Sequence, residues 1–201
     1  MKKNTVIFDL DGTLLDTLQD LADATNYALR KQGMPERTID EVRQFVGNGV
    51  RLLMIRAIPG GEENPLFEET FALFKSYYGE HCNDHTRPYE GIMELLATLR
   101  EKGYAVAIVS NKIDFAVKEL SKLYFQGIVP VAIGEKEGIR RKPAPDTVFE
   151  ALKELGRTKE EAVYVGDSDV DIETAQNAGM PCISVLWGFR DQAFLEAHGA
   201  S

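Results

Sequence analysis

Two cysteines, Cys82 and Cys182, are the only thiols in this chain of 201 residues. They stand far apart and in no ligand-like spacing, which excludes a disulfide framework and a zinc site and leaves both thiols free in a reducing compartment. Positive charge is scarce as well: 23 Lys and Arg face 32 Asp and Glu, for a net charge of -9. Such a chain is a poor ligand for a phosphate backbone, so nucleic acid is not an expected partner. Long apolar runs are missing. Lys2 and Lys3 precede a run that Asp9 breaks at once, too short for a signal-peptide core, and no stretch approaches membrane-spanning length. The expected address is the cytoplasm, away from membranes. Internal repeats and low-complexity tracts are also absent. What is present is a 44% hydrophobic composition, enough to bury a substantial core in one domain or in one domain with a modest insertion.

Two organisations interleave along the chain. From Asp16 to about Cys82 the apolar spacing is helical, with Leu14, Leu18, Leu21, Thr25, Ala28 and Leu29 on one stripe. Gly33 and Pro35 stop that helix, and Thr38-Ile39-Asp40-Glu41 has the form of a capping box that starts another. Val50 to Ile58 and Leu66 to Tyr78 read as two more. From Pro88 onward, helical patterns alternate with short apolar runs at Tyr104–Val109, Ile128–Ile133, Ala162–Val165 and Cys182–Leu186. That rhythm predicts a parallel sheet. The first strand, Thr5–Phe8, is separated from the rest by the helical block. The expected class is therefore α/β, a Rossmann-like parallel core over 1–15 and 86–201 with a helical cap inserted at 16–85.

The chemistry gathers where strands run out, the end at which open parallel sheets place ligands. Asp9 and Asp11 stand two apart after Val6-Ile7-Phe8, and Gly12 turns the chain. In extended backbone they would share a face, and two carboxylates a few ångströms apart repel by about 4 kcal/mol at an effective dielectric near 20. The pair therefore asks for a cation or a proton. Ser110 and Asn111 follow the next strand with a hydroxyl and an amide. Lys142 precedes Pro143 and Pro145, which are expected to keep the backbone extended before a helix. Val163-Tyr164-Val165 then runs into Gly166-Asp167-Ser168-Asp169-Val170-Asp171, a second acidic cluster at a strand end. Each piece alone is a plain turn or a solvated charge; the four in this order are not.

Those four segments resemble the signatures of the haloacid dehalogenase superfamily of phosphohydrolases: Asp9–Thr13 as DxDGT, Ser110 and Asn111 as the second motif, Lys142 as the third, and Gly166, Asp167 and Asp171 as GDxxxD. The resemblance spans almost the whole chain, and the helical insertion lies where the family's α-helical cap subclass carries its cap. It implies that Asp9 is the nucleophile, forming an aspartyl-phosphate, and that Asp11 is the general acid and base. It also implies Mg2+ held by Asp9, the backbone carbonyl of Asp11 and Asp167, with Asp171 orienting a water on the metal. Thr13, Ser110, Asn111 and Lys142 would grip the phosphoryl oxygens. The second aspartate and the acidic fourth motif argue against dehalogenation. Relatives continue past a segment such as Gly199-Ala200 into a short strand and helix, so the chain is expected to be truncated there.

The expected partner is a small phosphorylated substrate, with the protein a monomer or homodimer. Phe45 to Ala57 resembles the cap loop of bacterial phosphoglycolate phosphatases, with a VGNG turn and a helix ending in Arg-Ala. Amides around Gly47, Asn48 and Gly49 can approach an anion closely, and Arg51 or Arg56 can meet a carboxylate bidentately. Five positions separate the arginines, an offset of about 140° on a helix, so only one should face the substrate. Pyrophosphatases, β-phosphoglucomutases and broad sugar-phosphate phosphatases share this core and stay open as alternatives. A phospho-acceptor signalling module is a reading from another class, though such modules are shorter and lack the insertion. His81 and His85, with Cys82 and Asp84 between them, could share a helix face as a second metal site. Gly79 to Arg87 otherwise reads as a polar hinge, paired with one at Leu14–Thr17, that lets the cap close.

Overall fold

The computed structural model describes residues 3–200. Strand β1 (Thr5–Phe8) leads through a tight loop to the short strand β2 (Leu15–Asp16). Helices α1 (Leu18–Lys31), α2 (Ile39–Phe45), α3 (Val50–Ala57) and α4 (Phe67–His81) follow, and β3 (Arg87–Pro88) pairs with β2. Then come α5 (Ile92–Glu101), β4 (Ala105–Ile113), α6 (Asp114–Phe125), β5 (Val131–Glu135), α7 (Asp146–Leu155), β6 (Ala162–Gly166), α8 (Asp169–Ala178), β7 (Cys182–Ser184) and α9 (Gln192–Ala197). The chain divides into two compact units, Met1–Leu15 with Pro88–Ser201, and Asp16–Arg87.

The first unit is a five-stranded parallel sheet in the order β5-β4-β1-β6-β7. Thr5 of β1 lies opposite Ala105 and Ala162, and Phe8 opposite Ile108 and Val165. All four β1 residues are buried, because a central parallel strand is covered on both faces. Alternation sorts its side chains. Val6 and Phe8 join Val106, Ile108, Ile92 and Leu96 on one side, while Ile7 joins Ala107, Tyr164, Val148 and Ala175 on the other. Helices α5 and α6 thus cover one face and α7 and α8 the other, leaving the C-terminal strand ends to the loops.

Three strand boundaries differ from the expectation, one of them in β7, which ends at Ser184 rather than Leu186. β4 continues through Ser110, Asn111 and Lys112 to Ile113 instead of ending at Val109, and its register against β5 shifts there, with Val109 opposite Ile133 and Ile113 opposite Glu135. β5 begins at Val131, not Ile128, since the Phe125 carbonyl holds the N–H groups of Ile128 and Val129 in the turn after α6.

In the second unit α1 and α4 pack through Leu18, Leu21, Ala28 and Leu29 and through Phe67, Phe71 and Phe74, all buried. The stripe begins at Leu18, since Leu14 belongs to the core of the first unit. The Thr38 capping box forms as its pattern requires: Glu41 N–H donates to Thr38 Oγ1 at 3.2 Å and Thr38 N–H to Glu41 Oε2 at 2.7 Å. Buried Asp20 ties the returning chain by accepting from His85 N at 2.8 Å, Thr86 N at 2.9 Å and Thr86 Oγ1 at 2.7 Å. A His81–His85 pair does not form. His81 turns to Asp84 at 2.8 Å while His85 lies 3.7 Å from Asp23, so the two rings take different partners. Both cysteines are free, and among the described residues no helix is long and apolar enough to cross a membrane.

Candidate active site

The loop after β1 is held by one carbonyl. Leu10 O accepts from the N–H groups of Thr13, Leu14 and Leu15, and Gly12 N–H donates to Leu15 O at 2.8 Å. Gly12 has φ +91°, and a Cβ there would run into the Asp167 carboxylate. Glycine is required on both counts. Gly188 is constrained likewise, since a Cβ would meet the Asp167 side chain, and one on Gly166 would meet Asp171. Three glycines thus let backbone close around two acids.

Asp9, Asp167 and Asp171 gather there, their carboxylate oxygens within 4.8 Å of one another and all three residues buried. The neighbours that crowd Asp9 are therefore the acids after β6. Asp11, the neighbour expected from its spacing, turns instead to Lys112 Nζ at 3.0 Å and to Ser110 Oγ, which donates at 3.4 Å. Lys142 is the cation inside the acidic cluster. Its ammonium donates to Asp9 Oδ1 at 2.7 Å, Asp171 Oδ1 at 2.7 Å and Tyr164 OH at 3.1 Å, so all three protons have acceptors. Tyr164 OH donates onward to Asp171 at 3.0 Å.

Asp171 is the third residue of α8 and completes a capping box there. Its Oδ2 accepts from Ser168 N and Oγ and from Asp167 N, which leaves Oδ1 for Lys142 and Tyr164. Asp167 accepts from Thr13 Oγ1 at 3.1 Å and from Phe189 N at 2.7 Å.

Burial pushes Asp9 well above the carboxylate range, with Lys142 opposing and Asp171 and Asp167 adding to the rise. Asp167 is pushed up to about 7 by burial and by Asp171. Burial alone would lower Lys142, but Asp171 and Asp9 outweigh it and hold its proton on. Three crowded acids with one ammonium are short of positive charge. Their hard oxygen donors suit a divalent cation, so the residues present fit a metal of the Mg2+ class.

Several predicted ligands take other partners. The Thr13 hydroxyl braces Asp167 rather than opening toward a phosphoryl oxygen. The Asn111 amide is engaged at both ends by Lys142, donating to its carbonyl at 3.0 Å and accepting from its N–H at 2.8 Å. Asn111 therefore braces the loop that delivers the lysine. That loop is a turn, not an extended stretch, and Lys142 is buried while Arg140 and Arg141 are exposed. In the helical unit, Arg51 is bound by Glu62 and Glu68 at 2.7 Å each and lies over the Phe67 ring. Arg56 donates to the Phe45 carbonyl at 2.7 Å. Gly47, Asn48 and Gly49 all have positive φ, 127°, 60° and 87°, and turn the chain from α2 into α3. Lys112, Tyr164 and the Phe189 N–H were not singled out from sequence. Only Lys112 carried a signal, its place directly after Ser110-Asn111.

The family described as haloacid dehalogenase-like hydrolase matches residues 6–185. The chain belongs to that family. A phosphoglycolate phosphatase of Aquifex aeolicus is 35% identical over 185 residues, covering 92% of this chain and 85% of that protein. One from Rhodobacter capsulatus is 37% identical over 192 residues, with 92% and 85% covered. A crystal structure from Lactobacillus delbrueckii subsp. bulgaricus, provisionally described as a phosphoglycolate phosphatase, superposes with a TM-score of 0.95 at 41% identity, over 100% of this chain and 93% of that one. Within its family the chain is a phosphatase, acting on a small phosphorylated substrate.

Proposed function

We propose that this phosphatase hydrolyses phosphoglycolate through a phosphorylated Asp9. The observation that carries the reading is the Lys142 ammonium shared at 2.7 Å by Asp9 and Asp171, with Asp167 in the same cluster; the relatives named above support the substrate. Asp9 and Asp167, with the Asp11 carbonyl, would hold Mg2+, which when bound supplies positive charge against the phosphoryl oxygens. Lys142 favours the ionised form of Asp9 against its burial and aims the carboxylate. An Asp9 carboxylate oxygen attacks phosphorus while the bond to the ester oxygen breaks, and Asp11 gives that oxygen its proton, releasing glycolate. Asp11, now a carboxylate, takes a proton from water. The water oxygen attacks phosphorus and the bond to Asp9 breaks, returning the free carboxylate and inorganic phosphate. On binding, the Ser110 hydroxyl and the Lys142 ammonium would turn a donor from the carboxylates they now bond to the phosphoryl oxygens, where charge spreads in the transition state.

The test is a substrate panel in Mg2+, comparing phosphoglycolate, pyrophosphate, β-glucose 1-phosphate and an aryl phosphate by kcat/KM, since specificity is a ratio of those values. Phosphoglycolate should lead. A higher value for pyrophosphate or the sugar phosphate would replace the substrate while keeping the phosphatase. Because the chain is a phosphatase, repeated release of phosphate is expected, not the stoichiometric labelling of a phospho-acceptor module.

A further inference from the structure

The sequence offers Arg51 or Arg56 as the cation to read the substrate's carboxylate, yet Arg51 is held by two glutamates and Arg56 bonds a backbone carbonyl. The strand that carries Ser110 supplies another. Between Val109 and Ile113, four steps along β4 are matched by only two along β5, from Ile133 to Glu135. Such an irregularity releases side chains from the ladder and re-aims them. Within it, the Lys112 N–H donates to Ser110 Oγ at 3.1 Å, and the Lys112 ammonium donates to Asp11 Oδ1 at 3.0 Å, while Ser110 Oγ reaches the other oxygen of the same carboxylate. One carboxylate is thus flanked by a hydroxyl and an ammonium.

We propose that Lys112 is a specificity-determining residue that binds the carboxylate of the leaving glycolate, an inference that rests on the phosphoglycolate reading above. Lys112 has the reach for this contact. Asp11 must come within about 3 Å of the ester oxygen to protonate it, and the Lys112 ammonium lies 3.0 Å from Asp11 Oδ1, so ammonium and ester oxygen can be no more than roughly 6 Å apart if Oδ1 delivers the proton and roughly 8 Å apart if Oδ2 does. In glycolate the carboxyl carbon is two bonds from that oxygen, inside this span. The same ammonium offsets charge where Asp9, Asp11, Asp167 and Asp171 would otherwise repel a second anionic group. A phosphate ester whose leaving group carries a carboxylate on the next carbon fits this arrangement.

The test pairs a change in the enzyme with the matching change in the substrate. Phosphoglycolate and its uncharged amide, phosphoglycolamide, are compared by kcat and KM in wild type, Lys112→Met and Lys112→Arg, with folding checked by circular dichroism. Wild type should favour the acid by at least tenfold in kcat/KM. In Lys112→Met that preference should collapse to within about threefold of unity, chiefly through KM for the acid, because a contact to a non-reacting group is made in ground and transition states alike. Lys112→Arg should keep part of it. If wild type prefers the acid and Lys112→Met preserves the ratio, the inference is overturned. If wild type itself is indifferent to the carboxylate, the phosphoglycolate reading has failed and this inference falls with it. Should Lys112→Met not fold, Lys112→Gln supports the same comparison and is judged by the same two ratios.

Discussion

Replacing Lys142 by Met would keep most of the buried stem and remove the ammonium that Asp9 and Asp171 share at 2.7 Å each. Breaking a buried ion pair from one side costs about 3–5 kcal/mol, because the partner is left charged and unsolvated. Two carboxylates lose their partner here, yet the costs do not add, since both depend on one ammonium. Asp9, already pushed upward by burial, escapes part of the cost by taking up a proton. We expect a net loss of about 4 kcal/mol for the metal-free protein near neutral pH, or roughly 8–16 °C in Tm for a chain of this size. The loss should shrink as pH falls, because protonated Asp9 no longer needs the lysine. Trp187 is the single tryptophan and its indole N–H donates to Thr13 O at 3.0 Å, so its fluorescence during urea unfolding reports on the sheet unit. The double variant Lys142→Met with Asp9→Asn should recover part of the loss. A cost under about 1 kcal/mol, the worth of an exposed pair, would refute the view that the acidic cluster depends on this ammonium.

Asp9→Asn should abolish phosphate release in Mg2+ while the metal-free protein holds or gains stability, because a carboxylate leaves a crowded site; a variant with a tenth of the wild-type rate would remove Asp9 as nucleophile. Metal-free stability should fall as pH rises from about 4, the ordinary Asp value, to about 7, the value to which burial pushes Asp167. The folded state binds the proton more tightly than the unfolded one, so the contribution is complete below the lower value and lost on passing the upper. Chemical denaturation across that range with and without Mg2+ checks it, and a profile that rises with pH, or one that Mg2+ leaves unchanged, would contradict the charge argument. The buried Thr147 hydroxyl has no hydrogen-bond partner, so Thr147→Val should be neutral or stabilising by up to about 1 kcal/mol in the same urea assay, whereas a loss of that size would reveal a partner for it. Arg51→Met should leave the acid-to-amide preference of the enzyme intact, since its guanidinium is engaged by Glu62 and Glu68; a loss of preference would return the carboxylate to the helical unit.

Much of this protein was legible locally. The Thr5–Phe8 strand, the turn at Gly12 and the Thr38–Glu41 capping box depend on residues a few positions apart, so a short apolar run, a missing Cβ and a four-residue hydrogen-bond pattern were sufficient to predict them. The order of Asp9, Ser110, Lys142 and Asp167 along the chain identified the family because a parallel sheet brings the C-terminal parts of its strands and the loops after them to one edge whatever the intervening segments do. Which side chain bonds which was not legible. A hydroxyl or ammonium has several acceptors within reach, and the choice depends on register and on competition among buried groups. The shifted ladder at Val109–Ile113 places Lys112 against Asp11. Thr13 turns to Asp167 because that buried carboxylate must be satisfied, and Asn111 is drawn into bracing the Lys142 loop by two unpaired backbone groups. Arg51 was an available cation on paper, and only the packing of α3 and α4 brought Glu68 to it. Sequence determined which chemical groups the phosphatase has and on which strand ends they sit; tertiary structure decided their partners, since buried polar groups must all be paired and each pairing removes a choice from the next.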